Sequence, residues 1–204
     1  LKRGPEKRLP HIGRKVHNDC FFLHFLLFIA AKINIIRCSS KQEEYIMNIS
    51  VNETPHTFHL YNNEISYIMT VLRNGQMGQL YFGKKVHERD DYSYLIEVRS
   101  RPMTACVFDT DKCFSMEHLK QEYAVFGTTD YRSPATEVLQ NNGSRISEFV
   151  FHDYRIENGK PSLEGLPATY TESDEEASTL VIGLMDPLTQ IRLELFYTIF
   201  EKGG

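Results

Sequence analysis

The stretch TLVIGLMDPLTQIRLELFYTI, residues 179–199, decides how the chain is read. In its second half Ile191, Leu193, Leu195, Tyr197 and Ile199 fall on every second position. A period of two turns one face of an extended strand toward a core. The first half, residues 179–185, is apolar on both faces, the pattern of a strand covered on both sides. Between them Asp186-Pro187-Leu188-Thr189-Gln190 carries turn chemistry: proline presets φ, and an aspartate side chain hydrogen-bonds to backbone just ahead of it. The two halves therefore predict an antiparallel hairpin.

The same rhythm runs outward from this hairpin. Asn74-Gly75 separates an apolar segment at 65–72 from one at 79–82, and Asn142-Gly143 separates a strand near 135–139 from a long run at 146–156. Asn158-Gly159 ends that run. Short apolar segments broken by turn signals every ten residues or so predict an all-β, antiparallel β-sandwich rather than a helical or α/β domain. The one helical candidate is 115–123, which opens on a Ser N-cap. No Gly-rich phosphate loop, internal repeat or low-complexity linker lies between Met47 and Gly204.

Charge divides the chain. Residues 1–46 carry a net charge of +5, and the remaining 158 residues carry −9, which argues against a nucleic-acid surface on the body. The basic head also holds CFFLHFLLFIAA, residues 20–31, the most apolar run in the chain. Twelve helical residues reach about 18 Å, well short of a hydrocarbon core of about 30 Å. The run suits the core of a secretory signal, yet its lead is long and no A-x-A-like cleavage site follows. At codon level, Lys41-Gln42-Glu43-Glu44-Tyr45-Ile46-Met47 can be encoded with AGGAGG shortly before ATG, as a bacterial ribosome-binding site would be. The expectation is a true start at Met47, with 1–46 a non-native leader and 47–204 the domain. The four cysteines form neither a CxxC pair nor a dense framework, so free thiols in a cytoplasmic, reducing compartment are expected, with no membrane association.

Candidate chemistry is sparse. His56, His59, His87, His118 and His152 lack the spacing of a zinc site, and satisfied core or loop histidines are expected. Asp90-Asp91 and Asp109/Asp111 read as solvated loops, because no glycine-anchored calcium-loop spacing accompanies them. Asn48, Asn52 and Asn142 open N-x-S/T sequons, relevant only to a secreted eukaryotic protein. In the run TESDEEAS, residues 171–178, Asp174 and Glu176 would stand about 7 Å apart on one strand face, near the separation used by paired glycosidase carboxylates. A catalytic acid needs a desolvated pocket, and this run is polar throughout. A solvated connection is expected.

Several strings, taken in order, carry a resemblance: FHLYNNEISYIM (58–69), GQLYFGKKV (78–86), FSMEHLKQEYAVFGTTDYRSPA (114–135), GSRISEFVFHDYRI (143–156), NGKPSLEGLPATY (158–170) and LELFYTIFEK (193–202). Together they resemble the N-terminal domain of bacterial family 36 α-galactosidases. The resemblance covers the body after Met47 and nothing before it. It implies a large β-sandwich followed by a (β/α)₈ barrel that carries two catalytic aspartates. No position here matches either aspartate, so the chain alone is expected to be inactive. The implied reaction is retaining hydrolysis of terminal α-galactosyl groups in melibiose- and raffinose-type galactosides, with no metal or organic cofactor.

The resemblance also implies a homo-oligomer in which a loop of this domain reaches a neighbour's active site. That loop corresponds to residues 97–103. Arg101 falls on the family's Arg, and Ser100 stands where Asp is usual, giving Arg101 and Ser100 as substrate-binding candidates in trans. Phe82 replaces a frequent Trp, and the chain contains no Trp. The alternative reading is a stand-alone β-sandwich module that binds carbohydrate or protein.

Overall fold

Seven strands form two antiparallel meanders, described by a computed structural model for residues 48–100, 103–127, 130–162, 164–165, 167 and 169–203. The expected leader, with its apolar run, lies outside the described residues. The first sheet has the order β1 (Ile49–Glu53), β2 (His56–Tyr61), β3 (Ile65–Val71), β4 (Met77–Lys84). The second has the order β5 (Val150–Asn158), β6 (Ala177–Met185), β7 (Arg192–Phe200).

Both sheets turn one face inward onto a shared core. Phe58, Leu60 and Met69 of the first sheet pack in one buried cluster with Leu180, Ile182 and Leu184 of the second. Aromatic contacts cross the gap: Phe58 meets Tyr154 edge-on at 5.1 Å between centroids, and Tyr67 stacks on Tyr197 at 6.0 Å. The architecture is thus the antiparallel β-sandwich that the alternating segments predict.

The 186–190 turn forms as its chemistry requires. Asp186 Oδ1 accepts the amides of Leu188 and Thr189, and Oδ2 accepts that of Glu148. Burial opposes the carboxylate's charge, but these N–H donors outweigh it and hold its pKa below the usual range. The Asn-Gly turns place Gly75 and Gly159 at φ of 86° and 79°, a region open to glycine without a Cβ clash.

The central strand β6 is buried on both faces, although only one faces the core. Its outer residues Thr179, Val181 and Gly183 lie beneath long side chains from the flanking strands. Arg192 of β7 pairs with Asp153 of β5 at 2.9 Å, and Arg155 of β5 pairs with Glu194 of β7 at 2.9 Å. These pairs span β6 because residue 183 has no side chain: a Cβ there would stand 2.1 Å from Asp153 Oδ1.

Two local expectations fail. Residues 115–123 are turns and extended chain rather than a helix, because the backbone of this segment hydrogen-bonds β4: Gln79 N donates to Lys120 O, and Glu122 N donates to Met77 O. Residues 135–139 form no strand. Their links are single ones, Ala135 N to Ala124 O and Arg145 to Glu137, with no ladder alongside. In the first place tertiary pairing overrides a local signal; in the second no partner strand lies alongside among the described residues, and a lone extended segment forms no ladder.

Candidate functional site

The loop holding Ser100 is reached through a segment, residues 85–97, that crosses the outer face of the first sheet. The alternation of β2 and β3 turns His59 and Ser66 to that face, opposite Phe58 and Leu60, and both are buried. His59 Nε2 shares a hydrogen bond of 2.9 Å with Ser66 Oγ, and Nδ1 shares one of 3.1 Å with Tyr92 Oη. Each hydroxyl also accepts a backbone amide of the crossing segment: Val86 N donates to Ser66 Oγ at 3.0 Å, and Arg89 N donates to Tyr92 Oη at 2.9 Å. A neutral imidazole fits, since one ring nitrogen donates and the other accepts. Burial lowers the His59 pKa to about 4, with Glu88 opposing and Lys85 assisting.

Beyond Tyr92 the chain makes a 3-10 turn, Ser93–Leu95, closed by Asp91, whose Oδ1 accepts the Ser93 amide at 2.7 Å and Oδ2 the Ser93 hydroxyl at 2.9 Å. These bonds, the backbone one foremost, hold the exposed Asp91 carboxyl below its ordinary range. The pair Asp90-Asp91 therefore finishes a turn. Next to it a cleft of about 360 Å³ opens between β4 and the segment, with Tyr94, Glu97, Gln79 and Lys120 among its lining residues. Ser100 follows, exposed and outside regular structure, and Arg99 pairs with Glu97. Arg101 lies outside the described residues.

Asp111 and the acidic run fall into structural roles, whereas the two buried ring nitrogens of His118 find no hydrogen-bond partner among the described residues, against the expectation of satisfied histidines. Asp111 accepts the Cys113 amide at 3.0 Å and pairs with Arg73 at 2.7 Å, while Arg73 lies 3.9 Å over the Phe108 ring. The acidic run forms a 3-10 turn, Asp174–Glu176, in which Asp174 and Glu175 are exposed and the half-buried Glu176 accepts the Glu172 amide at 2.9 Å. Among the described residues no three His, Cys, Asp or Glu gather as a metal site, and Cys106 and Cys113 are free thiols. No helix of the described residues is long and apolar enough to cross a membrane.

One carboxylate is placed in a way the sequence did not signal. Glu122, within the expected helix, sits at the mouth between the sheets and accepts the Tyr67 hydroxyl at 2.5 Å and the Tyr197 hydroxyl at 2.8 Å. Gln79 Nε2 adds a bond to Tyr67 Oη at 3.1 Å. Phe82, opposite Tyr67 in the β3–β4 register, packs edge-on against it at 5.7 Å and is 65% exposed. The glutamate was legible only as a helical surface residue, because its partners are 55 and 75 positions away.

These features define a β-sandwich domain with a segment at 85–97 fastened across its outer face, and the described residues gather no set of catalytic groups. Residues 75–204 match the sequence model of the glycosyl hydrolase family 36 N-terminal domain. The chain belongs to glycosyl hydrolase family 36. Alpha-galactosidase AgaA of Geobacillus stearothermophilus is 37% identical over 161 residues, which are 76% of this chain and 21% of that protein. The crystal structure of the alpha-galactosidase from Lactobacillus brevis superposes with a TM-score of 0.70 at 38% identity, covering 75% of this chain and 21% of the other. Variants of AgaA solved with raffinose and with stachyose superpose at 0.65 and 38% identity, over 71% of this chain and 20% of theirs. The chain spans about a fifth of the length of the relatives it matches.

Proposed function

We propose that this chain is the N-terminal sandwich of an α-galactosidase that hydrolyses terminal α-galactosyl groups with retention. Raffinose-type galactosides are the substrate class, supported by the raffinose and stachyose complexes of the AgaA variants. The domain's part is to support the enzyme and its homo-oligomer, and to deliver the 97–103 loop, with Ser100 and Arg101, to a neighbour's substrate. Arg101 would bond sugar hydroxyls through its fixed fork of donors. No metal or organic cofactor is needed for hydrolysis through a glycosyl-enzyme intermediate. The enzyme acts in the cytoplasm.

The observation that carries this reading is the family match over residues 75–204, combined with a span of only a fifth of each relative. The catalytic carboxylates would belong to the remaining part, so the purified chain is expected to leave a chromogenic α-galactoside intact. Turnover by the chain alone would overturn the assignment. Co-expression with AgaA lacking its corresponding N-terminal fifth supplies the second test. Restored turnover that falls at least tenfold with Arg101→Ala supports delivery of the loop in trans, and a restored activity indifferent to that substitution refutes it.

A further inference from the structure

We infer that His59, Ser66 and Tyr92 are positioning residues: together they fasten the segment at 85–97 to the outer face of the first sheet and so set where the loop at 97–103 begins. The inference rests on the proposed role of that loop only for its consequence, since the fastening itself is a matter of local geometry. Two of the bonds run from the backbone of the segment into the cluster, at Val86 and Arg89, and a third, Lys85 N to Glu64 O, lies just before them. Tyr92 is 4% exposed, which makes it the one fully buried residue of a stretch whose others are exposed or half-buried. The strap then passes directly into the 3-10 turn and the cleft wall formed by Tyr94, Leu95, Ile96 and Glu97.

The fastener works only with a neutral imidazole. Protonation turns both ring nitrogens into donors, so the hydroxyl that donates to the neutral ring would instead have to accept from it as well as from a backbone amide, and its hydrogen would need a new acceptor; for Tyr92 the His87 carbonyl stands at a long 3.5 Å. The surroundings offer little help. The rings of Tyr61 and Tyr92 lie 4.9 and 5.7 Å from that of His59. Glu88, which favours the proton, is itself in contact with Ser50 of β1, and Lys85 disfavours it. Arg89 reaches away, 5.7 Å over the Tyr94 ring. Acid should therefore loosen the strap while the core stays closed, a local opening of the kind seen by amide exchange.

Hydrogen exchange on the full 204-residue chain, normalised to the intrinsic rate at each pH, tests this. Tyr92→Phe should accelerate the Val86 and Arg89 amides at least tenfold at pH 7, with the β6 amides of Leu180 and Ile182 unchanged. In the parent chain the same two amides should accelerate as pH falls from 6.5 to 4, and His59→Gln should abolish that step. No acceleration in Tyr92→Phe, or an acid step retained in His59→Gln, overturns the inference. If His59→Gln does not fold, the Tyr92→Phe result and the parent pH series decide between them. No sugar enters this experiment, so its failure is separable from failure of the loop's proposed role, which the Arg101→Ala activity test reads.

Discussion

The Glu122 clamp predicts a measurable loss when its charge is removed. Glu122→Gln keeps the shape but replaces a charged acceptor shared by two phenols with a neutral amide. A hydrogen bond to a charged group contributes about 1.5–3 kcal/mol, and a neutral one about 1 kcal/mol. Two bonds weakened by that difference give roughly 1–4 kcal/mol, and partial access of water at the mouth of the sandwich places the expectation near 2 kcal/mol. Urea unfolding followed by far-UV circular dichroism reads it directly. A spectroscopic signature accompanies the loss. Burial, and then the bond to and charge of Glu122, push the Tyr67 phenol above its ordinary pKa of 10; burial and the same carboxylate push Tyr197 up as well. A phenol whose folded pKa is raised stabilises the fold below pH 10, and the contribution is lost as pH rises beyond it, when the unfolded chain ionises first. In an ultraviolet titration of the eleven tyrosines, Tyr67 and Tyr197 should ionise late in the parent chain and earlier in Glu122→Gln, while Tyr61 and Tyr92, also raised by burial, stay late in both. A destabilisation under about 0.5 kcal/mol, with an unchanged tyrosine titration, would refute the clamp.

Stability should also fall in acid through His59, whose folded pKa of about 4 lies below the ordinary 6.5. The unfolded chain takes up the proton first, so about 3 kcal/mol present above pH 6.5 is lost on the way down to pH 4, and pH-dependent urea midpoints of the parent and His59→Gln should diverge in that window. Asp186→Ala removes the acceptor of three amides at the β6–β7 turn and should cost about 2–3 kcal/mol, seen as a lower melting temperature. Gly183→Ala should push Asp153 off Arg192. The Asp153 carboxyl, now held below its ordinary range chiefly by that arginine, should then titrate closer to the usual value by NMR.

The fold was legible wherever pairing is local. The alternation of 191–199, the doubly apolar 179–185 and the Asp-Pro turn between them specify a hairpin without reference to the rest of the chain, and β7 with β6 forms as read. Residues 115–123 look helical because Ser115 suits an N-cap, but their backbone is claimed by β4, some forty positions earlier, which no local pattern announces. The fastening cluster was half legible. Alternation in FHLY puts His59 opposite Phe58 and Leu60, yet nothing in the sequence says that Tyr92 would return to cover it. The loop's candidates Ser100 and Arg101 came from resemblance to the family, since neither composition nor spacing distinguishes them.

Gly183 has a consequence for how the second sheet responds to load. Because it is bare, Asp153 and Arg155 of β5 reach Arg192 and Glu194 of β7 over the top of β6. The two border strands are latched to each other as well as laddered to the middle one. Tension on either border must shear its ladder and the overhead latches together, so the three strands resist peeling as one body.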